Sequence, residues 1–287
     1  MPSGIIIIDK PAGWTSMDVC AKLRGILKEK RVGHGGTLDP MATGVLPVFV
    51  GNATKAVEFA EKSDKEYLAG LRLGVVTNTQ DSTGQVLESR PLTADREALA
   101  AVLPRFTGAI EQIPPMYSAI KIKGKKLYEL ARKGQEVERK PRPVTIHDLE
   151  IVEQTGDAEY LLRVRCSKGT YVRTLCHDIG QALGCGGCMS SLRRTMAAGF
   201  TLEDAVTLEQ VQDGAPLLPV DCFFADCPVF LLPSPKAEAL VRNGNPIAAP
   251  GLEPGTCWRV YSREKEFLCL SRVENGQLRS VKNFFGG

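Results

Sequence analysis

The hydrophobic pattern of the chain changes repeatedly between short apolar or alternating runs and segments with helical spacing. Residues 5–8 are four consecutive isoleucines, which predicts a buried strand that ends in the Lys-Pro-Ala-Gly turn at 10–13. A helix is predicted to begin just after this turn, with Ser16 as its N-cap, and to run to about residue 27. This mixture of strand and helix signals indicates an α+β protein.

The same pattern predicts further elements along the chain. Strands are expected at residues 45–50, 65–73, 144–153 and 160–166, the last two as a pair, and helices at 53–60, 95–103 and 171–183. Gly184 follows the last of these helices directly, which is typical of a helix C-terminus. The stretch 113–142 is basic, flanked by prolines and without a regular period, so we expect it to protrude from the fold.

Five prolines between residues 216 and 235 interrupt the pattern and predict a domain boundary near residue 230. Beyond it, a helix is expected at about 236–242, followed by strands around 258–261, 266–271 and 277–282. These elements suffice for a small β-rich module. A length of 287 residues also fits one large domain with a small one attached.

The net charge is only +3, but the positive charges are concentrated in two places. The first group comprises Lys121, Lys123, Lys125, Lys126, Arg132, Lys133, Arg139, Lys140 and Arg142, and the second comprises Lys22, Arg24, Lys28, Lys30 and Arg31. Only three glutamates lie within the first group. Such runs are often no more than solvated faces, but two of them near one loop favour a polyanionic partner such as RNA.

The N-terminal segment, the length of the apolar runs and the cysteines indicate in which cellular compartment the protein is expected. The apolar run at residues 5–8 is too short for the core of a secretory signal, and a charged Asp-Lys pair follows it at once. No apolar run approaches the length of a membrane span. The nine cysteines are an odd number and are scattered, which favours reduced thiols over a disulfide framework. We therefore expect a cytoplasmic protein that has no membrane partner.

Residues 33–47 form the most unusual stretch, Gly-His-Gly-Gly-Thr-Leu-Asp-Pro-Met-Ala-Thr-Gly-Val-Leu-Pro. Four glycines and two prolines predict a loop with specified turns, whose backbone can approach a ligand closely. The loop carries one carboxylate, Asp39, and one imidazole, His34, five residues apart. A carboxylate on such a loop suits a nucleophile or a base, but an Asp-Pro pair also simply begins turns. The loop by itself leaves both interpretations open.

Five more segments have a similarly motif-like composition. They are Ile8-Asp9-Lys10-Pro11-Ala12-Gly13, Lys65-Glu66-Tyr67, Ile113-Pro114-Pro115-Met116-Tyr117-Ser118-Ala119, Gly169-Thr170-Tyr171-Val172-Arg173-Thr174-Leu175 and Leu192-Arg193-Arg194-Thr195. In this order and at these separations, together with residues 33–47, they closely resemble the bacterial tRNA pseudouridine-55 synthase (TruB) family. The resemblance extends over essentially the whole chain.

The resemblance implies a fold and a reaction. The fold would be a pseudouridine-synthase catalytic domain, with a central mixed or antiparallel sheet flanked by helices. The reaction would isomerise uridine 55 in the T-loop of tRNA to pseudouridine, breaking the C1′–N1 bond and forming a C1′–C5 bond. No metal, nucleotide or redox cofactor is implied. The target base must be flipped out of the folded T-loop before it can be reached.

The resemblance also assigns catalytic residues. Asp39 would be the nucleophilic carboxylate, which forms a covalent intermediate or stabilises positive charge at the anomeric carbon. It must be ionised near neutral pH, so its implied partner Arg173 is expected to depress its pKa. Tyr67 would stack on the target base and serve as the base that removes a sugar proton.

The substrate-binding residues are implied in the same way. His34 would support the stack that the flipped nucleotide leaves, Tyr171 and Leu192 would line the pocket, and Lys10 would form part of its wall. Each side chain also has a simpler interpretation: core packing for Tyr67 and Leu192, a surface ion pair or phosphate contact for Arg173, a backbone cap for His34, and a solvated lysine for Lys10.

The domain boundaries and partners complete these expectations. Residues 1–229 would form the catalytic domain, with a thumb-like RNA-binding insertion at about 107–143, and residues 230–287 a PUA-like domain that touches the acceptor stem. The protein would act on tRNA as a monomer. The alternative is a non-catalytic tRNA-binding or tRNA-folding protein on the same scaffold. A guide-RNA-dependent synthase is disfavoured, because the archaeal and eukaryotic relatives of that kind lack the bacterial-type thumb.

One local group of residues departs from the family pattern. Cys185 and Cys188 are spaced as a Cys-x-x-Cys pair, and Cys176 and His177 precede them. Such a set can suggest tetrahedral zinc or a redox pair. However, the spacing fits no standard zinc finger, and adjacent side chains on a helix do not easily face one site. A loop of small residues is therefore the favoured interpretation.

Overall fold

The computed structural model describes residues 2–122 and 124–286, so Lys123 of the first basic group lies outside the described residues. The strands are, in chain order, β1 (Gly4–Lys10), β2 (Val32–His34), β3 (Thr43–Val50), β4 (Lys65–Leu73), β5 (Val75–Thr77), β6 (Val86–Ser89), β7 (Gly108–Gln112), β8 (Lys121–Ile122), β9 (Lys125–Lys126), β10 (Arg142–Gly156), β11 (Glu159–Cys166), β12 (Gly187–Ala197), β13 (Phe200–Thr201), β14 (Val229–Leu231), β15 (Ile247–Ala248), β16 (Cys257–Tyr261), β17 (Phe267–Glu274) and β18 (Gln277–Asn283).

The helices of the described chain lie between its strands in sequence. They are α1 (Ser16–Leu27), α2 (Val57–Lys62), α3 (Arg96–Val102), α4 (Leu127–Ala131), α5 (Val172–Ala182), α6 (Leu208–Gln212) and α7 (Pro235–Arg242), with short 3-10 helices at Gly51–Ala56, Leu103–Phe106, Leu202–Asp204 and Val220–Phe224. None of them is both long and apolar enough to cross a membrane.

The main sheet of the described residues has nine strands in the order β1-β3-β12-β4-β11-β10-β7, with β2 beside β3 and β13 beside β12. Only the β3–β12 pair is parallel among these, so the expected mixed sheet in an α+β fold is confirmed. The expected pairing of β10 with β11 is also confirmed, and their alternating pattern places Leu162 and Val164 in the core. Leu175 and Ile179 of α5 pack against this face.

Helix α1 begins one residue earlier than the sequence pattern predicts. Thr15, not Ser16, is the N-cap: its hydroxyl accepts a hydrogen bond from the Asp18 N–H (3.0 Å), and the Asp18 carboxylate accepts one from the Thr15 N–H (2.9 Å). The Ser16 hydroxyl is buried and bonds instead to the backbone of Leu38. The prediction of Ser16 as the cap was wrong because a tertiary contact uses its side chain.

Other predicted elements are largely confirmed, and one long strand was missed. The helix expected at 53–60 is a 3-10 turn, Gly51–Ala56, that continues into α2, and the strand expected at 144–153 is the longer β10. No strand was predicted at β12, although it lies in the middle of the sheet between β3 and β4. Its sequence does not alternate, and a bulge near Ser190 shifts its register against β4.

The last five strands form a second sheet in the order β14-β16-β17-β18-β15. Leu268, Val260 and Leu278 form its own buried core. Phenylalanines connect it to the main sheet, since the Phe224 ring lies 5.6 Å from that of Phe284 and both belong to the cluster that includes residues of β1 and β3. A small β-rich module follows the predicted boundary.

The basic stretch 113–142 contains regular secondary structure, although its sequence has no regular period. It contains the β8–β9 hairpin and α4, and Met116, Leu127 and Leu130 form a separate small hydrophobic cluster. Most of its described Lys and Arg side chains are exposed. The charges therefore surround a small folded unit beside the main sheet.

Candidate active site

Asp39 lies in the loop between β2 and β3, and the neighbouring backbone fixes this loop from several directions. The N–H of Gly13 donates to the carbonyl of Pro40 (2.8 Å), and the N–H of Leu38 donates to the hydroxyl of Ser16 (2.9 Å). The Asp39 side chain remains 39% exposed. The loop thus presents a carboxylate toward solvent from a backbone that is held in place.

Two glycines of this loop are required by close packing. A Cβ atom at Gly35 would lie 2.6 Å from the Cβ of Ala60. Gly44 has a φ of +100°, and a Cβ there would lie 2.2 Å from the carbonyl oxygen of Arg194. Positive φ and close backbone approach are the conditions that favour glycine. The glycine-rich composition therefore reflects the packing of the loop onto α2 and β12.

Arg173, in the first turn of α5, is the cation that faces Asp39. Its Nε lies 3.0 Å from Oδ2 of Asp39, and its Nη1 lies 3.6 Å from Oδ2 of Asp81. The same guanidinium donates to the carbonyls of Thr79 (3.2 Å) and Tyr117 (2.9 Å). With only 8% of its side chain exposed, Arg173 joins the loop between β2 and β3, the β5–β6 connection and the basic stretch.

Asp81 is a residue of the candidate site that the sequence analysis did not single out. Its Oδ1 accepts hydrogen bonds from the hydroxyls of Thr79 (2.8 Å) and Thr83 (2.6 Å) and from the Thr83 N–H (3.0 Å). Its Oδ2 is left for Arg173. A buried carboxylate satisfied in this way is a rigid anchor for a guanidinium. An Asp followed by Ser, Thr and Gly carries no signal of such a role.

Burial and charge act in opposite directions on the pKa of Asp39. Loss of water around the carboxylate raises its pKa and is the largest effect, Arg173 lowers it, Asp81 raises it and Lys10 lowers it. The net direction is upward, so the expected depression is wrong, although the effect of Arg173 itself has the expected sign. Water still reaches the exposed part of the Asp39 side chain, which limits the rise.

Lys10 is buried against the loop. Its side chain is fully buried, and its ammonium donates to the carbonyls of Pro11 (2.8 Å), Trp14 (2.6 Å) and Pro40 (3.3 Å). Burial lowers the pKa of Lys10, and the nearby Asp39 carboxylate opposes this. In this structure Lys10 supports the loop and adds positive charge beneath Asp39.

Tyr67 and Leu192 come from the two adjacent strands β4 and β12. Each has 9% of its surface exposed, so both contribute to the core while keeping an edge open. Burial raises the pKa of the Tyr67 phenol, and the charge of the Arg194 guanidinium lowers it. The phenol is therefore protonated at rest and faces a buried cation. Arg194 is a second residue whose role the sequence did not reveal.

Tyr171 is the residue before α5, and its backbone is held by a buried amide. The N–H of Tyr171 donates to Oε1 of Gln112 (2.9 Å), and Nε2 of Gln112 donates to the carbonyl of Tyr171 (3.2 Å). Burial raises the pKa of the Tyr171 phenol. The two hydrogen bonds to Gln112 fix the start of α5, and with it Arg173, against β7.

His34 ends β2 at the entrance to the loop. Burial lowers the pKa of His34, and the charge of Arg194 lowers it further, so the imidazole is neutral near pH 7. Its Nδ1 is buried and has no hydrogen-bond partner among the described residues. A neutral ring at this position suits stacking more than it suits proton transfer.

The cysteine group does not have the character of a metal or redox site. Within residues 2–122 and 124–286, no cluster of three or more His, Cys, Asp or Glu side chains is arranged to hold a metal ion. Burial raises the pKa of both Cys176 and Cys188, so these thiols stay protonated, whereas metal binding and redox exchange use the thiolate. Cys185 occupies the turn before β12.

Sequence comparison identifies the family. The family model described as "TruB family pseudouridylate synthase (N terminal domain)" matches residues 24–172, and "tRNA pseudouridylate synthase B C-terminal domain" matches residues 173–218. The "tRNA pseudouridine synthase B" of Cupriavidus metallidurans is 43% identical and that of Pseudomonas syringae is 45% identical. These alignments cover 96% of this chain and 92% and 93% of the relatives, respectively.

Solved structures share the fold across both sheets. The chain matches one described as "Crystal Structure of a Cbf5-Nop10-Gar1 Complex" with a TM-score of 0.75 and 28% identity, over 98% of this chain and 85% of that chain. A second, "Structure of H/ACA RNP bound to a substrate RNA containing 2'-deoxyuridine", matches with a TM-score of 0.73 and 26% identity, over 99% and 85%. Together with the family models and the close relatives, these matches show that the chain belongs to the TruB family of pseudouridylate synthases.

Proposed function

We propose that this protein converts uridine 55 in the T-loop of tRNA to pseudouridine, alone and without a cofactor or a guide RNA. The observation that carries the proposal is the Asp39–Arg173–Asp81 arrangement. It places a partly exposed carboxylate 3.0 Å from a guanidinium whose other edge is held by a buried carboxylate. Membership of the family and the names of the relatives support the same reaction.

Asp39 is the reacting group in this proposal. One carboxylate oxygen, Oδ2, is occupied by Arg173, so Oδ1 is the oxygen directed at the substrate. It forms a covalent intermediate or stabilises positive charge at C1′ while the C1′–N1 bond breaks and the C1′–C5 bond forms. Because Arg173 is anchored on Asp81, the carboxylate is oriented before the substrate arrives, which lowers the entropic part of the barrier.

The remaining side chains would bind the flipped uridine. Tyr67 would stack on the base, and its phenolate, formed when the phenol loses its proton to water, would remove a sugar proton. Leu192 and Tyr171 would close the pocket around the base. The neutral ring of His34 would replace the flipped nucleotide in the RNA stack. Flipping costs a few kcal/mol of lost stacking, which these contacts offset.

We further propose the domain roles. Residues 1–229 would form the catalytic domain and about 107–143 its RNA-binding thumb, where exposed lysines contact phosphates and position the RNA. Residues 230–287 would form a PUA-like domain that contacts the acceptor stem. The separate five-stranded sheet supports this division. We expect the protein to act as a monomer in the cytoplasm.

Tritium release tests the reaction directly. A tRNA transcript that carries uridine tritiated at C5 should lose the label at one position when incubated with the wild-type protein alone. A transcript with cytidine at position 55 should lose none. Asp39→Asn should abolish release and leave tRNA affinity within about threefold, because the substitution keeps the shape of the side chain. Asp213→Asn, which neutralises an exposed carboxylate, serves as the matched control.

Three results would contradict the proposal. Turnover by Asp39→Asn at the wild-type rate would remove Asp39 from the chemistry. Wild-type protein that binds the transcript but releases no tritium would instead identify a non-catalytic tRNA-binding protein. Tritium release from the transcript with cytidine at position 55 would show that a different uridine is the target.

A further inference from the structure

Arg194 is a buried cation that the proposed chemistry does not use. It lies on β12, has 1% of its surface exposed and is one of the largest fully buried side chains of the described residues. Its hydrogen-bond acceptors are main-chain carbonyls rather than a carboxylate. Burying a guanidinium costs free energy unless its N–H groups form hydrogen bonds. The structure accepts this cost, which indicates that the shape of the guanidinium is needed at this position.

The carbonyls that Arg194 binds lie on both sides of Asp39 in the chain. Nη2 donates to Gly36 (3.1 Å) and Nη1 to Thr37 (3.4 Å), just before Asp39, while Nε donates to Val45 (2.7 Å) on the far side. One planar group therefore ties the two ends of the loop to β12. A lysine ammonium cannot reproduce this fork of donors, since it is a single point charge.

The same side chain also contacts the second strand of the site. Arg194 is paired in register with Tyr67 across the β12–β4 ladder, so the two side chains project from the same face of the sheet. The charge of the guanidinium lowers the pKa of the phenol. Arg194 thus lies between the loop that carries Asp39 and the strand that carries Tyr67. Because it is almost fully buried, it cannot itself contact a flipped base.

We infer that Arg194 is a positioning residue, which sets the placement of Asp39 relative to Tyr67 for a reaction on a flipped uridine. This inference rests on the proposed function and adds a residue that acts through two others. In this role the guanidinium holds the loop and orients the phenol toward the substrate. Removing it should therefore slow chemistry far more than it weakens RNA binding.

Single-turnover tritium release with excess enzyme separates these effects. Rates should be expressed per molecule competent to bind tRNA, so that partial unfolding is corrected for. We expect Arg194→Met to be slowed about 100-fold and Arg194→Lys about 10-fold, because small misplacements of catalytic groups have effects of this size. The Kd for tRNA should change by less than about threefold.

Arg193→Met is the matched control. Arg193 is the adjacent residue on β12, but its side chain is 40% exposed and pairs with Asp9 at 2.8 Å. The control should keep the wild-type rate. If Arg194→Met does not fold, Arg194→Lys retains the charge and carries the test.

A double-mutant cycle with Tyr67→Phe distinguishes positioning from a general structural role. If Arg194 acts partly through the phenol, Arg194→Met should slow the Tyr67→Phe enzyme much less than it slows the wild type. Equal slowing in both backgrounds would overturn this link. Arg194 variants as fast as active wild-type enzyme would overturn the inference alone, whereas inactive wild-type enzyme would overturn the proposed function and the inference with it.

Discussion

Asp81→Asn is the substitution that tests the arginine-centred site most directly. Asparagine keeps the shape of the side chain, and its carbonyl oxygen can still accept from Thr79 and Thr83, as Oδ1 of Asp81 does at 2.6–3.0 Å. Only the charge facing Arg173 is removed. We expect tRNA binding to be preserved and the chemical step to be slowed, because Arg173 loses the anchor that holds it against Asp39.

The size of the effect follows from the geometry. Nη1 of Arg173 lies 3.6 Å from Oδ2 of Asp81, and the two side chains are 8% and 7% exposed. At an effective dielectric constant of about 20, the attraction is roughly 4–5 kcal/mol, much of which offsets desolvation of the charges. Because desolvation offsets about half of this attraction, the net loss on removing the Asp81 charge is about 2 kcal/mol. If the transition state loses this stabilisation and the enzyme–tRNA complex does not, the rate drops about 30-fold.

The pH profile gives the same variant a second, independent signature. The pKa of Asp39 is raised in the folded protein, and Asp81 contributes to that rise. Because the carboxylate form reacts, activity is present above this pKa and is lost as pH falls through it. Removing the Asp81 charge lowers the pKa, so the acid limb should move to lower pH while the plateau falls. Single-turnover rates measured across pH would refute this reasoning if the plateau stayed within twofold of wild type or if the limb moved upward.

The loop backbone and the basic stretch offer two further tests. Gly44→Ala should lower the free energy of unfolding by more than about 2 kcal/mol, since it combines positive φ with a clash at the Arg194 carbonyl. Gly134→Ala, also at positive φ but in open space, should lower it by only about 1 kcal/mol, and urea unfolding that showed equal losses would contradict the packing argument. Replacing both Lys125 and Lys126 by Gln should make the salt dependence of tRNA binding shallower by about 1.5 in log–log slope, with single-turnover chemistry at saturation little changed. An unchanged slope in filter binding would exclude them as phosphate contacts.

Local sequence signals determined the outline of the fold. The isoleucine run of β1, the alternation in β4 and β11 and the helical spacing of α5 each depend on residues close together in the chain, and each prediction is confirmed. Strand β12 was missed for the same reason: its Ser-Ser-Leu-Arg-Arg run has no clean period. Its place is set by strands far away in sequence, β3 and β4.

The sequence by itself also identified the loop of Asp39 and, through its motifs, the family to which the chain belongs. The sequence could not determine how charges are distributed around the Asp39 carboxylate, because this distribution depends on which side chains the fold buries together. Asp81 and Arg194 become site residues only when the β5–β6 connection and β12 are packed beside the loop. The upward shift in the pKa of Asp39 has the same origin, since loss of water on folding is a property of the tertiary structure and not of the motif.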